Sequence, residues 1–534
     1  MSIRVEPLPL AGPALSQAYV NDHASVASFY NAGPPADVES YRVVAGLIRE
    51  TSSPKRWSAL SDAFADADAN VSEKLEQVVK SRGVFVATGQ QAGLFVSPLF
   101  TLYKALTAVR LAEQLEEALG IPVMPLFSTA SEDHDWGEVN HTQVIDLENR
   151  LVRLSAVDAV SATGDGSPPV EKIKLAPGIE HTFAQLEQSL PDSEFRDSVL
   201  MPLRRAYRSG RGFAEAFESA LGDLLKGYPI LRARTAHRHV KAASAGLMWD
   251  EWQKRVESEE RMLGRVDELS AAGYDAQVGV AAGSTNLFLE GPLGRDRILQ
   301  DGDEARLRRS GEGLSGSELQ GILQANPERV SPGALFRPVA EATAFPVVAH
   351  VGGPGEIAYL AQSQVLFDLH DLPAPVVVPR ASFQLVESKI ARVLEKYDLP
   401  SAELAGDSSA AISRLLKDRT PPEIQEAVVE LRRTVASALE RVEASAIEFD
   451  PGAKSALGSG KRGVFESISN LESKLQARVK EKNQVMQQQL EKAALHLYPG
   501  GRRQERVLNP YPYVVRYGRE LLEGIYDRVT TPLG

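Results

Sequence analysis

A cluster of acids and histidines, Ser131-Glu-Asp-His-Asp-Trp-Gly-Glu-Val-Asn-His141, has the clearest chemical potential in this chain. It follows an apolar segment ending at Phe127, and open α/β sheets bind ligands at the carboxyl ends of their strands. Its carboxylates could bind an ammonium group or sugar hydroxyls, and a histidine could act as a general base. A second interpretation is a solvated acidic loop with incidental histidines.

The same cluster allows a metal-site interpretation. If the segment is helical, His134, Glu138 and His141 share one stripe at i, i+4 and i+7, a spacing that could hold a divalent ion together with Asp133 or Asp135. Gly137 weakens a regular helix, and the zincin spacing is absent. We therefore predict no resident metal and keep the metal site as an alternative.

A first glycine segment, Thr88-Gly-Gln-Gln-Ala-Gly-Leu94, lies between an apolar strand predicted at 84–87 and a helix predicted at 98–119. Glycines let backbone N–H groups approach a ligand, and a helix N-terminus favours negative charge, so phosphate or carboxylate binding is one interpretation. A plain tight turn is the other. Ser97 is the predicted helix cap, and Gly120 the predicted stop.

A second glycine segment, Gly352-Gly-Pro-Gly355, repeats this arrangement between a strand predicted at 345–351 and a helix predicted at 356–368. Two such loops at strand ends could converge on one crevice, and the alternative is two independent turns. Arg337, and Arg380 after a strand predicted at 374–378, could each grip a carboxylate or phosphate. Glu356 and Tyr359 could face the crevice, although core packing also explains the tyrosine.

The elements around these segments indicate a parallel sheet. A helix separates the strand at 84–87 from one at 122–127, which implies a right-handed crossover. The other predicted elements are a hairpin at 142–147 and 151–156, an exposed loop at 164–169 within a region that turns helical by 225, a strand at 229–232, a long helix at 237–264, and small strands and loops at 273–330.

Between about 421 and 497, apolar residues recur at steps of three and four, flanked by Glu, Arg, Lys and Gln. A break from Asp450 to Gly460 separates two long helices, which predicts an antiparallel coiled-coil hairpin. Arms of about 30 residues would extend roughly 45 Å. We expect the outer face of this hairpin to form a dimer contact.

Composition excludes several classes of function. The 59 basic and 71 acidic residues give a net charge of −12, which argues against broad nucleic-acid binding. No apolar run reaches the length of a bilayer span, so we expect a cytoplasmic protein without membrane contact. The chain has no cysteine, which removes disulfides, thiolate metal sites and a cysteine nucleophile.

Taken together, four blocks resemble the cysteine ligase of bacillithiol biosynthesis, the BshC family. The blocks are Thr88-Gly-Gln-Gln-Ala-Gly93, Glu132-Asp-His-Asp135 with Glu138 and Asn140-His141, Val351-Gly-Gly-Pro-Gly-Glu-Ile-Ala-Tyr359, and Pro379-Arg-Ala-Ser382. The resemblance extends to the coiled coil and to Gln504-Glu-Arg-Val-Leu-Asn509, and is weakest at 157–225 and 273–330.

The resemblance implies an α/β fold: a Rossmann-like, nucleotidyltransferase-type parallel-sheet core with connecting-peptide insertions and an antiparallel coiled-coil domain associated with dimerisation. The predicted division is a core with N-terminal helices over 1–156, a first insertion over 157–228, a core strand and long helix over 229–272, a second insertion over 273–335, the second part of the core over 336–400, a coiled-coil domain over 401–500, and a segment returning to the core over 501–534.

The resemblance also implies that cysteine is added to glucosaminyl-malate, giving bacillithiol. Amide formation from a carboxylate and an amine has an unfavourable free energy in water. We therefore expect ATP as cosubstrate, and Mg²⁺ could accompany it. The usual His-x-Gly-His signature of nucleotidyltransferases is missing, which leaves both an acyl-adenylate and an acyl-phosphate open.

On this interpretation, Asp133, His134 and Asp135 orient the acceptor amine, and His134 removes its proton. The predicted nucleotide-binding residues are Gly89, Gly93, Gly352, Gly353, Gly355 and Glu356. The predicted substrate-binding residues are Gln90, Gln91, Glu132, Asn140, His141, Arg337, Tyr359 and Arg380.

Three other functions also fit some of these residues. The chain could be a ligase or adenylyltransferase acting on another amino acid or sugar, or a metallohydrolase centred on His134 and His141. Outside catalysis, it could be a coiled-coil assembly protein whose core binds a nucleotide.

Overall fold

A computed structural model of the protein describes residues 3–65, 67–157, 168–418, 422–450 and 452–534. The chain forms two compact units, one of Met1–Leu385 with Glu505–Gly534 and one of Val386–Gln504. No helix in the described ranges is long and apolar enough to cross a bilayer.

The strands are β1 (Ile3–Pro7), β2 (Val84–Gln90), β3 (Val123–Thr129), β4 (His141–Ile145), β5 (Leu151–Ser155), β6 (Leu231–Arg234), β7 (Ser284–Gly291), β8 (Gly294–Asp301), β9 (Glu304–Leu307), β10 (Gly313–Leu314), β11 (Val330–Pro332), β12 (Val347–Gly352), β13 (Val376–Pro379) and β14 (Phe383–Glu387).

The helices are α1 (Ala14–Asn21), α2 (Val38–Thr51), α3 (Lys55–Ala63), α4 (Ala69–Ser81), α5 (Phe100–Leu119), α6 (Trp136–Val139), α7 (Ile179–Gln188), α8 (Arg196–Ala206), α9 (Phe213–Leu224), α10 (Arg238–Gln253), α11 (Arg255–Ala271), α12 (Gly316–Ala325), α13 (Arg337–Ala344), α14 (Pro354–Leu369), α15 (Ser388–Tyr397), α16 (Ser408–Asp418), α17 (Pro422–Phe449), α18 (Ala453–Lys482), α19 (Gln484–Leu497), α20 (Tyr511–Tyr517) and α21 (Glu520–Tyr526).

The centre of the first unit is a five-stranded sheet in the order β13-β12-β2-β3-β6, with every pairing parallel. Val84, Phe85, Val86 and Ala87 are fully buried, as expected of a parallel strand covered on both faces. This confirms the predicted parallel core. The strand β2 continues to Gln90, so Thr88–Gln90 is strand, not loop.

The strand order contains a topological switch. From β2 the chain moves to β3 and β6 on one side of the sheet, and later to β12 and β13 on the other. The switch point therefore lies between β2 and β12, the two strands that end in the glycine segments. In open parallel sheets, the crevice outside the carboxyl ends at this point is where ligands bind.

The helix α5 confirms one predicted boundary and corrects the other. Gly120 ends it in the left-handed conformation, with φ of 67°. The predicted cap at Ser97 is wrong: a 3₁₀ turn at Leu94–Val96 comes first, the helix starts at Phe100, and its N-cap position is Leu99. Ser97 thus lies too far ahead of the helix to accept from its first N–H groups.

The hairpin is confirmed, because β4 and β5 pair antiparallel from His141 with Ser155 to Ile145 with Leu151. The region up to 225 contains α7, α8 and α9, and residues 164–167 of the predicted exposed loop lie outside the described ranges. The predicted small strands after 273 form an antiparallel sheet, β10-β9-β8-β7-β11, accompanied by α12.

The single long helix predicted at 237–264 is wrong. The chain forms α10 and α11, which meet at Lys254, where φ is −91° and ψ is 10°. The two helices pack on different neighbours, α10 on α12 and α13, and α11 on α14. Tertiary packing therefore breaks a segment whose local composition favours one helix.

In the second unit, α17 and α18 form the predicted antiparallel hairpin. Arg432 pairs with Glu472 at 2.9 Å, and Glu443 pairs with Lys461. The residue number on α18 falls as that on α17 rises, so the two helices run antiparallel. The predicted break is too long, because α18 starts at Ala453 and includes Gly458–Gly460. The Glu443 contact to Lys461, just after these glycines, ties that part of α18 to the opposite arm.

Candidate active site

A cavity of about 410 Å³ opens at the carboxyl edge of the parallel sheet. Residues at or just after the end of every strand of the sheet line its wall: Gly89, Gln90 and Gln91 at β2, Ser128 and Ala130 at β3, Thr235 after β6, His350 and Gly353–Gly355 at β12 and the turn after it, and Arg380 after β13. The two glycine segments therefore lie in one cavity.

Lys104 joins the two glycine segments. It lies on α5 with a side chain only 3% exposed, and it forms an ion pair with Glu356 of α14. Its Nζ also donates to the Gly89 carbonyl at 2.6 Å and to Gln90 Oε1 at 3.1 Å. Glu356 Oε2 accepts in turn from the Gly353 N–H at 2.8 Å. One buried cation thus ties the end of β2 to the start of α14.

A second buried pair borders the cavity beside β13. Arg380 Nη1 and Nη2 donate to the two carboxylate oxygens of Glu505 at 2.9 and 2.8 Å, and both side chains are 2% exposed. The cationic groups of Lys104, Arg380 and Arg506 lie 5.8, 5.1 and 6.0 Å from the ring centre of Phe100. Three cations therefore surround Phe100 at the N-terminus of α5, and two of them, Lys104 and Arg380, are paired with the carboxylates of Glu356 and Glu505.

Glu341, on α13, forms the acidic part of the wall. Its side chain is 12% exposed, its Oε1 accepts from the Ser128 hydroxyl, and its Oε2 lies 3.8 Å from His350 Nδ1. Burial raises the pKa of Glu341 to about 7, although the Ser128 hydrogen bond and Arg337 oppose the increase. Burial lowers the pKa of His350 to about 4, so this imidazole is neutral at pH 7.

Arg337 connects the cavity to the acidic cluster found in the sequence. Its Nη2 lies 3.6 Å from Asp133 Oδ2, which also accepts from Gln91 Nε2 at 2.9 Å. Burial alone would raise the pKa of Asp133, but Arg337, the Gln91 hydrogen bond and Arg295 lower it to about 2. Asp133 is therefore an anion that positions two residues of the wall.

The structure brings about half of the predicted site residues together. Those that line the cavity are Gly89, Gln90, Gln91, Arg337, Gly353, Gly355, Glu356, Tyr359 and Arg380. Those that do not line it are Gly93, Glu132, Asp133, His134, Asp135, Asn140, His141 and Gly352.

Contacts elsewhere in the protein hold several of the predicted residues that do not line the cavity. Glu132 forms a buried ion pair with Lys241, and Asp135 caps the short helix α6 by accepting from the Glu138 N–H at 3.1 Å. His134 Nδ1 lies 3.2 Å from Arg295 Nη1 of β8, and burial and Arg295 both lower the pKa of this histidine. His141 begins β4, with its Nδ1 3.2 Å from Asn140 Oδ1.

The proposed helical stripe for a metal is wrong. Only Trp136–Val139 is helical, so His134 precedes the helix and His141 lies on a strand. The chain around Gly137 forms a single turn before β4 begins. Across the residues that the structure describes, no group of three or more acids and histidines could hold a metal ion.

Two of the glycines are required by packing. A Cβ at Gly89 would lie 2.6 Å from the Ser128 carbonyl oxygen, and one at Gly93 would lie 2.1 Å from that of Ser97. A Cβ at Gly355 would meet nothing within 4 Å. The first glycine segment is thus constrained by its own backbone neighbours, whereas Gly355 leaves open space at the N-terminus of α14.

Sequence reasoning missed Lys104, Ser128, Glu341 and His350. Lys104 and His350 did carry a signal, because each is a titratable residue inside an apolar run: Leu102-Tyr-Lys-Ala-Leu106 for the lysine, and Val347-Val-Ala-His-Val351 for the histidine. A polar side chain in such a position is buried and needs a partner or a function.

Comparison with known proteins identifies the family. Residues 2–381 match the family model described as the N-terminal Rossmann-like domain of bacillithiol biosynthesis BshC, and residues 383–532 match the C-terminal coiled-coil domain of the same family.

Full-length relatives agree with this match. A protein of Salinibacter ruber named "Putative cysteine ligase BshC" is 30% identical over 98% of this chain and 95% of its own length. A relative of the same name in Solibacter usitatus is 29% identical over 94% of this chain and 92% of its own length. Another, in Koribacter versatilis, is 31% identical over 84% of this chain and 83% of its own length. This chain belongs to the BshC family of bacillithiol biosynthesis.

Proposed function

We propose that the cavity at the switch point is the active site of an amide-forming ligase that adds cysteine to the amine of glucosaminyl-malate. One observation carries this proposal: residues from two segments more than 250 positions apart, among them Gln90 and Gly353, line a single cavity that holds both cationic and acidic groups. Relatives covering nearly the whole chain are named as cysteine ligases.

The charge distribution supports an ATP-dependent reaction. Anions bind well at helix N-termini and beside buried cations, and the cavity has both, at the starts of α5 and α14 and at Lys104 and Arg380. We assign the phosphates of ATP, with Mg²⁺ as their counterion, and the cysteine carboxylate to this side. The Gly355 N–H at the start of α14 would bind the nucleotide, as in nucleotidyltransferase-type folds, whereas the Gly353 N–H already donates to Glu356.

Another part of the cavity lining suits the acceptor. Glu341, Glu138 and Gln91 supply anionic and amide oxygens that can bind an ammonium group and sugar hydroxyls. The amine would then face the cysteine carboxyl held on the cationic side. This arrangement brings the two reacting groups together, which can contribute a large part of the rate gain of a two-substrate reaction.

Incubation of the protein with ATP, cysteine and glucosaminyl-malate should yield a product with the mass of bacillithiol. Release of AMP would indicate an acyl-adenylate, and release of ADP an acyl-phosphate. Omitting one substrate at a time supplies the control. Absence of product with every nucleotide, from a folded protein, would reject the ligase. Product with alanine but not cysteine would favour a ligase of another specificity.

We further propose a cytoplasmic homodimer formed through α17 and α18. Val429 and Val442 of α17 are 66% and 54% exposed, and Leu471 of α18 is 45% exposed. Exposed apolar side chains on a two-helix hairpin favour a contact with a second copy. Sedimentation should give twice the mass of one chain, and Val442→Asp should give the monomer with unchanged helix content. A monomeric wild type would reject the dimer.

A further inference from the structure

Glu341 differs from the other acids that line the cavity. Glu356 is held by Lys104 and by the Gly353 N–H, and Glu138 is exposed near the cavity mouth. Glu341 has one hydrogen bond, from Ser128 to Oε1, and in the described part of the chain its Oε2 has no hydrogen-bond partner. A buried carboxylate with one free oxygen can accept a proton from a bound substrate.

Burial makes this carboxylate more basic, and its cationic neighbour Arg337 offsets the effect only in part. The charged and titratable groups around it are Arg337 on the same helix, His350 of β12, Glu356 and Tyr359 of α14, and the buried pair of Lys241 of α10 with Glu132. His350 is neutral, Lys241 is engaged by Glu132, and Lys104 is engaged by Glu356. Within the described residues, Arg337 is therefore the cation near Glu341 that has no close ion pair, since its Nη2 lies 3.6 Å from Asp133 Oδ2.

We propose that Glu341 is the catalytic base that receives the proton of the acceptor amine, and that Ser128 is the residue that positions its carboxylate. The inference rests on the proposed ligase function and gives Glu341 the role that the sequence suggested for His134. His134 lies against the Arg295 guanidinium and does not line the cavity, so a proton transferred to it would meet a neighbouring positive charge.

The step balances without any further reactant. The lone pair of the neutral amine attacks the carbonyl carbon of the activated cysteine carboxyl, whether acyl-adenylate or acyl-phosphate. The N–C bond forms, the C–O bond to the phosphate breaks, and its electron pair leaves on the phosphate oxygen. The nitrogen then carries one surplus proton, which passes to Glu341 Oε2 and later to solvent through the cavity mouth.

The isosteric variant Glu341→Gln tests the role. At saturating substrates its rate of amide formation should fall by about 10²- to 10⁴-fold, the usual contribution of a positioned base. Carboxyl activation precedes this step, so hydroxamate formed from ATP, cysteine and hydroxylamine should persist, because hydroxylamine captures activated acyl groups without a base. Equal loss of amide and hydroxamate, or loss of neither, would overturn the proposal.

The pH profile supplies an independent readout. Amide formation by wild type should rise with pH through about 7, where Glu341 loses its proton, and this acid limb should vanish in Glu341→Gln. Ser128→Ala removes a hydrogen bond that favours the carboxylate, so the limb should move to higher pH. If the acid limb came instead from titration of the substrate's own amine, Ser128→Ala would leave it at the same pH.

Glu218→Gln is the matched control. Burial also raises the pKa of Glu218, but this glutamate pairs with Arg234 at 3.0 Å and does not line the cavity, so the limb should stay in place. If a His134 variant lost the limb while Glu341→Gln kept it, the assignment would be wrong. If wild type formed neither hydroxamate nor amide, the proposed ligase itself would fail.

Discussion

Replacing Lys104 with methionine is expected to lower the free energy of unfolding by about 3–5 kcal/mol, because the substitution leaves the largely buried Glu356 carboxylate without its cation. The Lys104 ammonium also holds Gly89, Gln90 and Glu356 in place around the cavity. Loss of this positioning should weaken ATP binding about 10- to 100-fold. Urea titration measures the first effect, and calorimetric titration with ATP below the denaturation range measures the second.

A second substitution and a control separate these effects. Glu356→Gln should restore part of the stability of Lys104→Met, because the amide oxygen still accepts from the Gly353 N–H and no buried charge remains. Lys241→Met breaks a comparable buried pair outside the cavity lining, so it should cost similar stability while the folded protein keeps its affinity for ATP. Equal loss of affinity in both lysine variants would show that Lys104 has no specific role in positioning the ATP site.

The parts of the site that sequence predicted are those fixed by local pattern and topology. An apolar strand, a glycine segment and a helix ending at Gly120 define a parallel unit, and two such units on either side of a switch point must meet at one edge of the sheet. Gln90, Gly353 and Arg380 follow strand ends directly, so the topology alone brings them together.

The rest depends on contacts that no local pattern encodes. Lys104 lies in the middle of an otherwise apolar segment, and only the fold shows that its ammonium reaches Gly89 and Glu356. Most of the acidic cluster lies outside the cavity lining for a related reason. It does follow a strand end, but His134 is held by Arg295 on β8, and the position of that strand depends on how the second insertion folds.

Replacing Arg380 with methionine should lower the free energy of unfolding about as much as Lys104→Met does, but through a different ion pair. Glu505 is 2% exposed and accepts two hydrogen bonds from Arg380, at 2.9 and 2.8 Å, so the variant leaves a buried carboxylate uncompensated. We expect a loss of about 3–5 kcal/mol in the free energy of unfolding. Arg380→Lys should recover only part of this, because one ammonium cannot replace a bidentate guanidinium.

The loss should be concentrated in the C-terminal segment, because this pair joins Glu505 to a residue 125 positions earlier. Hydrogen exchange in Arg380→Met should therefore accelerate first over 505–517, while the backbone of β2 stays protected. Arg519→Met is the matched control: Arg519 ties the same segment to the Asp223 and Lys226 carbonyls and neutralises no buried carboxylate, so it should cost only about 1 kcal/mol. Uniform acceleration throughout the first unit would mean that Arg380 supports the sheet as a whole and not the C-terminal segment in particular.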